Sequence, residues 1–107
     1  MDTKTQARYE LRARIIKAMA HPTRLFIMDE LAKNGERCVC ELTEIVGADM
    51  STVSRHLAIL KGVGILEDEK RCSQVYYSLR IRCALNFFEC VESVLKHNAT
   101  DQHRLLI

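Results

Sequence analysis

The chain has no tryptophan, a single proline, four glycines and only 6% aromatic residues in its 107 positions. So little Pro and Gly excludes a collagenous chain and argues against a disordered tail or a many-turned β-sandwich. No apolar run approaches the ~18 residues that a membrane-spanning helix requires. The segment Met1–Arg14 is charged throughout and holds no apolar stretch of the kind a secretory leader carries. Charge of neither sign dominates, since 16 Lys and Arg stand against 14 Asp and Glu, for a net +2 with His neutral. That balance is too mild to demonstrate nucleic-acid binding, but it leaves room for a local basic patch. The expectation is a cytoplasmic protein with no membrane partner, folded as one domain over residues 1–107. A domain this small has a thin core and gains from burial against a second chain.

What is present is a hydrophobic content of 48% and five cysteines, an odd number. Their spacing is not that of a secreted disulfide scaffold. In a reducing compartment such thiols serve as ligands, sensors or core filler.

Apolar periodicity divides the chain. Ala7, Leu11, Ile15 and Ala18 recur along one face of a first helix over residues 4–19. Pro22 suits the first position of a second helix, where its missing N–H costs nothing. That helix is expected to bury Leu25, Met28 and Leu31 and to stop at Asn34-Gly35. A short third helix, 39–46, carries Val39, Leu42 and Val46 as its apolar stripe. Gly47-Ala48 breaks it. Asp49 is placed to cap a fourth helix, 50–62, whose core residues are Val53, Leu57 and Leu60. Residues 64–68 and 73–79 read as a β-hairpin, because Val75, Tyr77 and Leu79 alternate with polar partners, and 69–72 is its charged tip. A last helix, 81–97, carries two apolar stripes: Ile81, Ala84, Leu85, Phe88, Val91 and Leu95, then Cys83, Phe87, Cys90 and Val94. Together they cover roughly 220° of arc at 100° per residue. One small core does not use so wide a face. The simplest cover is the same helix of a second copy, so the terminal helices are expected to form a homodimer interface. This order of elements, mainly α with a small β-hairpin, is that of a winged helix-turn-helix.

In that arrangement the fourth helix reads DNA. Ser51, Thr52, Ser54 and Arg55 lie off its core face, hydroxyls and a guanidinium that suit phosphates and base edges, and the helix N-terminus favours phosphate. His56 sits at the edge of the core face, either as a DNA contact or as a hydrogen-bonded interfacial histidine. Lys70 and Arg71 at the hairpin tip are candidate wing contacts, against the alternative of a solvated turn. Double-stranded operator DNA is therefore the expected partner.

Cys38-Val39-Cys40 opens the third helix. Two cysteines two apart inside a helix project about 200° from each other and cannot share a small ligand. Cys38 escapes this by lying at the N-cap, where Cys38-x-x-Glu41 has the form of a capping box with Cys in the Ser/Thr position. The free N–H groups, the positive helix end and Arg37 are expected to lower the thiol pKa values and favour thiolate. Cys40 points away from the apolar stripe and is not core filler. Cys83 and Cys90 lie on an apolar stripe and read as buried interface cysteines. Cys72 is expected to be exposed, as a further ligand, a reactive thiol or an incidental residue. No Cys-x-x-Cys near a βαβ unit is present, so the chain is not expected to be a thiol oxidoreductase or other enzyme.

Across most of its length the chain resembles the arsenic-repressor branch of the ArsR/SmtB family of metal-responsive repressors. The segments that carry the resemblance are His21-Pro22-Thr23-Arg24-Leu25, Cys38-Val39-Cys40-Glu41-Leu42, Ser51-Thr52-Val53-Ser54-Arg55-His56-Leu57, Gly64-Ile65-Leu66 and Val75-Tyr76-Tyr77-Ser78-Leu79. The resemblance implies a homodimer that leaves its operator when trivalent arsenic or antimony binds Cys38 and Cys40, with no organic cofactor. One departure is Thr43, where the arsenic motif has a further Cys. A third thiolate must then come from Cys72, Cys83, Cys90, a partner subunit or a small thiol, or the site uses two. The last helix lacks the Asp-x-His start of the family's zinc sensors, which disfavours zinc. Cadmium or lead sensing, and oxidant or persulfide sensing through the paired cysteines, remain the alternatives.

Overall fold

The first, second and fourth helices begin where a side chain accepts from a free amide of the first turn. The computed structural model describes residues 1–106, with side chains through Asp101. Helix α1 spans Thr3–Met19 and starts at Asp2, whose carboxylate accepts from the Thr5 N–H at 2.7 Å. Helix α2, Pro22–Asn34, is capped by His21, whose Nδ1 accepts from the Thr23 N–H at 3.1 Å, and Pro22 occupies its first turn. It ends at Gly35, which turns the chain at φ 78°. A two-residue strand β1, Arg37–Cys38, leads directly into α3, Val39–Val46. Gly47 closes α3 in the left-handed region at φ 77°, and its N–H returns to the Thr43 carbonyl. Helix α4, Met50–Gly62, follows after three residues. Then come strands β2, Leu66–Arg71, and β3, Gln74–Leu79, and finally helix α5, Ala84–Leu106.

The sheet has three antiparallel strands in the order β1-β3-β2. It differs from the expected hairpin in two ways. Strand β2 runs on through Arg71, because Glu69, Lys70 and Arg71 pair with Tyr76, Val75 and Gln74. The turn is thus Cys72-Ser73, with Cys72 itself left-handed at φ 57°. Second, β1 pairs with β3, Arg37 opposite Tyr77 and Cys38 opposite Tyr76. The residue that caps α3 is thereby also a strand residue of the wing.

The core gathers Ile27, Met28 and Leu31 of α2, Leu42 of α3, Val53, Leu57 and Leu60 of α4, and Ile65 and Leu66 at the wing's root. Burying side chains of this size is worth ~1.5–3 kcal/mol each. Leu25, expected inside, is 38% exposed, and Ile27 takes the core position at 0%. In the run Leu25-Phe26-Ile27-Met28 several apolar faces compete, and packing against α3 and α4 selects the one through Ile27. Leu25 instead lines an open apolar cleft with Ile16 and Met19 of α1 and Phe87, Phe88 and Val91 of α5.

The terminal helices stand partly clear of this core. On α1 only Ala18 and Met19 are buried, while Leu11, Ile15 and Ile16 are exposed. On α5 Phe88 packs on the core, but Phe87, Val91, Val94 and Leu95 remain 44–57% exposed. The helix also continues to Leu106, past the expected end at 97. The radius of gyration is 16.8 Å, against ~13 Å for a compact chain of this length. No helix among the described residues is long and apolar enough to cross a membrane. The fold is a winged helix-turn-helix with α3 and α4 as the helix-turn-helix and β2–β3 as the wing.

Candidate nucleic-acid interface and thiol pair

Asp49 sets the start of α4. Its Oδ1 accepts from the Thr52 N–H at 2.7 Å and from the Ser51 hydroxyl at 3.1 Å. These bonds hold the carboxyl below the usual carboxylate range, the Thr52 contacts first and the Ser51 hydroxyl after them. Val53, Leu57 and Leu60 anchor the inner face at 0% exposure. The same rotation presents Ser51, Ser54 and Arg55 to solvent, with Thr52 half-buried. One helix face thus carries three hydroxyls and a guanidinium beside a helix N-terminus, a combination suited to phosphate and base edges. Lys61, at the far end of α4, reaches Asp68 of β2 at 2.9 Å and braces the helix against the wing.

Two residues expected at this surface are used elsewhere. His56 is buried, at 9% exposure. Its Nδ1 accepts from the Arg24 Nε–H at 3.0 Å, and its ring lies against His21. Position 56 follows Val53 by three and precedes Leu60 by four, so it turns into the core rather than into a groove. Arg71 is exposed, but its guanidinium is committed. It donates to both carboxylate oxygens of Glu36 and to Glu69, and it lies over the Tyr76 ring at 4.9 Å. The Glu36 and Glu69 carboxylates push its pKa up. Lys70 is the wing cation that pairs with no carboxylate among the described residues.

The thiol pair forms at the junction of β1 and α3. Cys38 is the N-cap of α3, with extended backbone at φ −78°, ψ 164°. The Glu41 carboxylate accepts from the Cys38 N–H at 3.2 Å in a capping-box arrangement, and Arg37 pairs with Glu41 at 3.2 Å. Leaving helical geometry at the cap swings the Cys38 sulfur round to meet Cys40, and the two sulfurs lie 2.7 Å apart. Cys38 is buried and Cys40 exposed. The Cys40 thiol also reaches Gln74 Oε1 of β3 at 3.5 Å.

The expectation of a lowered thiol pKa is corrected at Cys38. Its hydrogen bond with Cys40 and its burial push the thiol up, and outweigh the Glu41 N–H at the helix end that pulls it down. A donor gives up its proton less readily while a neighbouring sulfur is holding it.

Two convergent sulfurs suit a soft, thiophilic ion. The Thr43 hydroxyl is spent on the Val39 carbonyl at 2.8 Å. Among the described residues no group of three or more His, Cys, Asp or Glu side chains is gathered as a metal site. Cys72 lies exposed at the wing tip, and Cys83, in the turn before α5, and Cys90, on α5, are exposed rather than buried in the single chain.

The sequence reading missed Arg24, which links three helices, and the clamp of Glu36 on Arg71. Arg24 lies in the first turn of α2, but only contact across 32 positions reveals its role.

Residues 21–68 match the family described as "Bacterial regulatory protein, arsR family". An uncharacterized HTH-type transcriptional regulator of Methanocaldococcus jannaschii is 41% identical over 65% of this chain and 79% of its own length. An arsenic resistance transcriptional regulator of Pseudomonas putida is 42% identical over 61% of this chain. This chain spans about half of that relative, the match covering 51% of its length. Among solved structures, the homodimeric winged helix-turn-helix DNA-binding domain of a possible ArsR-family regulator from Mycobacterium bovis superposes with a TM-score of 0.77. The identity is 29%, over 92% of this chain and 91% of that one.

Proposed function

Because the chain belongs to the arsR family of bacterial regulatory proteins, we propose that it is a homodimeric repressor released from operator DNA by trivalent arsenic or antimony at Cys38 and Cys40. The observation that carries this reading is the 2.7 Å approach of the two sulfurs, on the helix that packs directly against α4. Arsenite would bind there by ligand exchange. Each As–S bond replaces one As–OH, and the displaced hydroxide leaves as water with the thiol proton. Two exchanges use both cysteines and leave one position on the ion.

DNA contact is assigned to Ser51, Thr52, Ser54 and Arg55 of α4, with Lys70 on the wing. Dimerisation is assigned to α1 and α5. The single chain exposes 7823 Å², against ~6,100 Å² for a folded monomer of this mass. The surplus, about 1,700 Å² per chain, is roughly twice the ~800 Å² that each partner buries in a standard interface. In such a dimer the two α4 helices would enter successive major grooves ~34 Å apart.

Holding Cys38 and Cys40 on one ion would reset the distance between their sulfurs and so displace the cap of α3. Leu42 of α3 and Val53 and Leu57 of α4 share one core, so α4 follows. A small turn in each subunit spoils simultaneous contact with both half-sites. Coupling of ~1–3 kcal/mol, usual for allostery, shifts occupancy about 5–150-fold.

The test is operator binding by Cys38→Ser/Cys40→Ser protein under arsenite titration. Wild type should be released and the variant retained. Normal release of the variant removes the two thiols from the mechanism. A second reading is favoured by the same short sulfur contact: oxidation or persulfidation of the pair as the signal. It predicts release by persulfide or peroxide without metal, with a disulfide or polysulfide across Cys38 and Cys40 in the mass spectrum.

A further inference from the structure

Away from the thiols, three side chains meet where α1, α2 and α4 come together. Arg24 of α2 donates from Nε to His56 Nδ1 at 3.0 Å and from Nη1 to the Ala18 carbonyl at 3.1 Å. Ala18 lies in the last turn of α1 and His56 in the middle of α4. One guanidinium therefore ties the end of the dimerisation helix to the recognition helix. His21 completes the junction. Its ring centroid is 4.5 Å from that of His56, and its own Nδ1 accepts from the Thr23 N–H at 3.1 Å.

Both imidazoles thus serve as acceptors at Nδ1. An imidazole accepts only through an unprotonated nitrogen, so both rings are neutral in this arrangement, with the proton on Nε2. A proton on His56 Nδ1 sets N–H against N–H and breaks the Arg24 bond. It also puts a cation beside other cations. The titratable and charged groups that face His56 are His21 and Arg24 from α2 and its cap, and Arg55 from α4 itself. From α1 the junction receives the Ala18 carbonyl, already held by Arg24. Burial first, then His21, Arg24 and Arg55, hold the imidazole below its ordinary value.

We propose that His56 is a positioning residue, and that the Arg24–His56–His21 junction makes operator binding weaken as pH falls. With neutral rings Arg24 fixes α4 relative to α1, and so fixes the spacing of the two recognition helices in a dimer. Protonation unties α4 from α1. The sign is diagnostic, because a histidine in contact with phosphate gains a favourable charge on acidification and tightens binding instead. This inference rests on the DNA-binding reading and is independent of the thiols.

The probe is a DNA duplex selected from a random-sequence pool by the wild-type protein at about pH 7.5. Its affinity is read by fluorescence anisotropy at constant ionic strength, from about pH 7.5 down to about pH 4.5, because the His56 imidazole is held below its usual ~6.5. Wild type should bind about fivefold or more weakly at the acid end, the low end of ordinary allosteric coupling. In His56→Gln the amide oxygen accepts from Arg24 and does not titrate, so its affinities at the two ends should agree within about twofold. In His21→Asn, where Asn keeps the cap on Thr23, the fall should persist. A wild-type affinity that holds or rises on acidification overturns the proposal. So does an equal fall in His56→Gln, or a fall that tracks loss of the far-ultraviolet helix signal. Should His56→Gln not fold, imidazole nitrogen shifts of the wild type decide: a neutral Nε2–H tautomer at His56 supports the junction, and an Nδ1–H tautomer overturns it. Failure to select any duplex takes down the DNA-binding reading and this proposal with it.

Discussion

Lys70 and Arg71 are neighbours on one strand, yet they should behave differently toward DNA. Arg71 is held by two bonds to Glu36, one to Glu69 and the face of Tyr76, whereas Lys70 is exposed and pairs with no carboxylate among the described residues. Each phosphate that a protein neutralises adds about −0.9 to the slope of log affinity against log salt. A homodimer carries two copies of each residue, so Lys70→Gln should flatten the operator salt slope by about 1.8, and weaken binding by about 60-fold at 0.1 M salt. Arg71→Gln should leave the slope close to wild type, since its charge is already spent on carboxylates. Glu36→Gln should act in the opposite direction. It frees one arm of the clamp in each subunit, so the slope should steepen, by at most about 1.8 for the dimer, and binding should tighten. The assay is anisotropy of labelled operator over a salt series, at one pH for all variants. If Arg71→Gln flattens the slope as much as Lys70→Gln does, Arg71 abandons Glu36 on DNA, and the reasoning from the ion pairs is wrong.

Other variants test the frame that carries the site. Leu57→Ala empties a fully buried position under α4 and should cost about 2–5 kcal/mol in urea unfolding at fixed protein concentration. A loss below about 1 kcal/mol would mean that the core closes over the gap. Asp49→Ala removes the cap of α4 and should lower the urea midpoint at neutral pH. Because the folded pKa of Asp49 lies below its ordinary 3.8, its contribution is present above that value and is lost as pH falls through the lowered folded pKa. The variant and wild type should therefore converge in stability at the acid end, and a difference that persists there refutes the capping account. Val94→Asp charges an exposed apolar position of α5. Sedimentation should show monomers, and operator affinity should drop by on the order of 100-fold as the second half-site is lost. A dimeric Val94→Asp protein would move the interface elsewhere.

The helix-turn-helix was legible because its signals are local. Asp49 before an apolar period of three and four marked the start of α4, and Val53, Leu57 and Leu60 proved to be its buried face. The cap role of Cys38 was legible for the same reason, from Glu41 three residues on. Where several faces were equally apolar, as at Leu25–Met28, sequence period could not choose between them, and packing did. The wing was read one strand short, since the pairing of Arg37 and Cys38 with Tyr77 and Tyr76 joins segments about forty positions apart.

By itself the sequence determined the order of elements, the position of both thiols at a helix start and the hydroxyl-rich face of α4. Each follows from side chains within a few turns of one another, where backbone geometry leaves little choice. Only the tertiary structure decided which charges are available. Lys70 and Arg71 look alike in sequence, but Glu36 lies beside one of them because β1 joins the sheet. His56 falls in the string expected to read DNA, but Arg24 and His21 meet it because α2 crosses α4. The Cys38 thiol sits at a helix end that should acidify it, yet its neighbouring sulfur and its burial raise it. A side chain's type is local information. Its free charge, its proton and its partner depend on what the fold brings within hydrogen-bond reach.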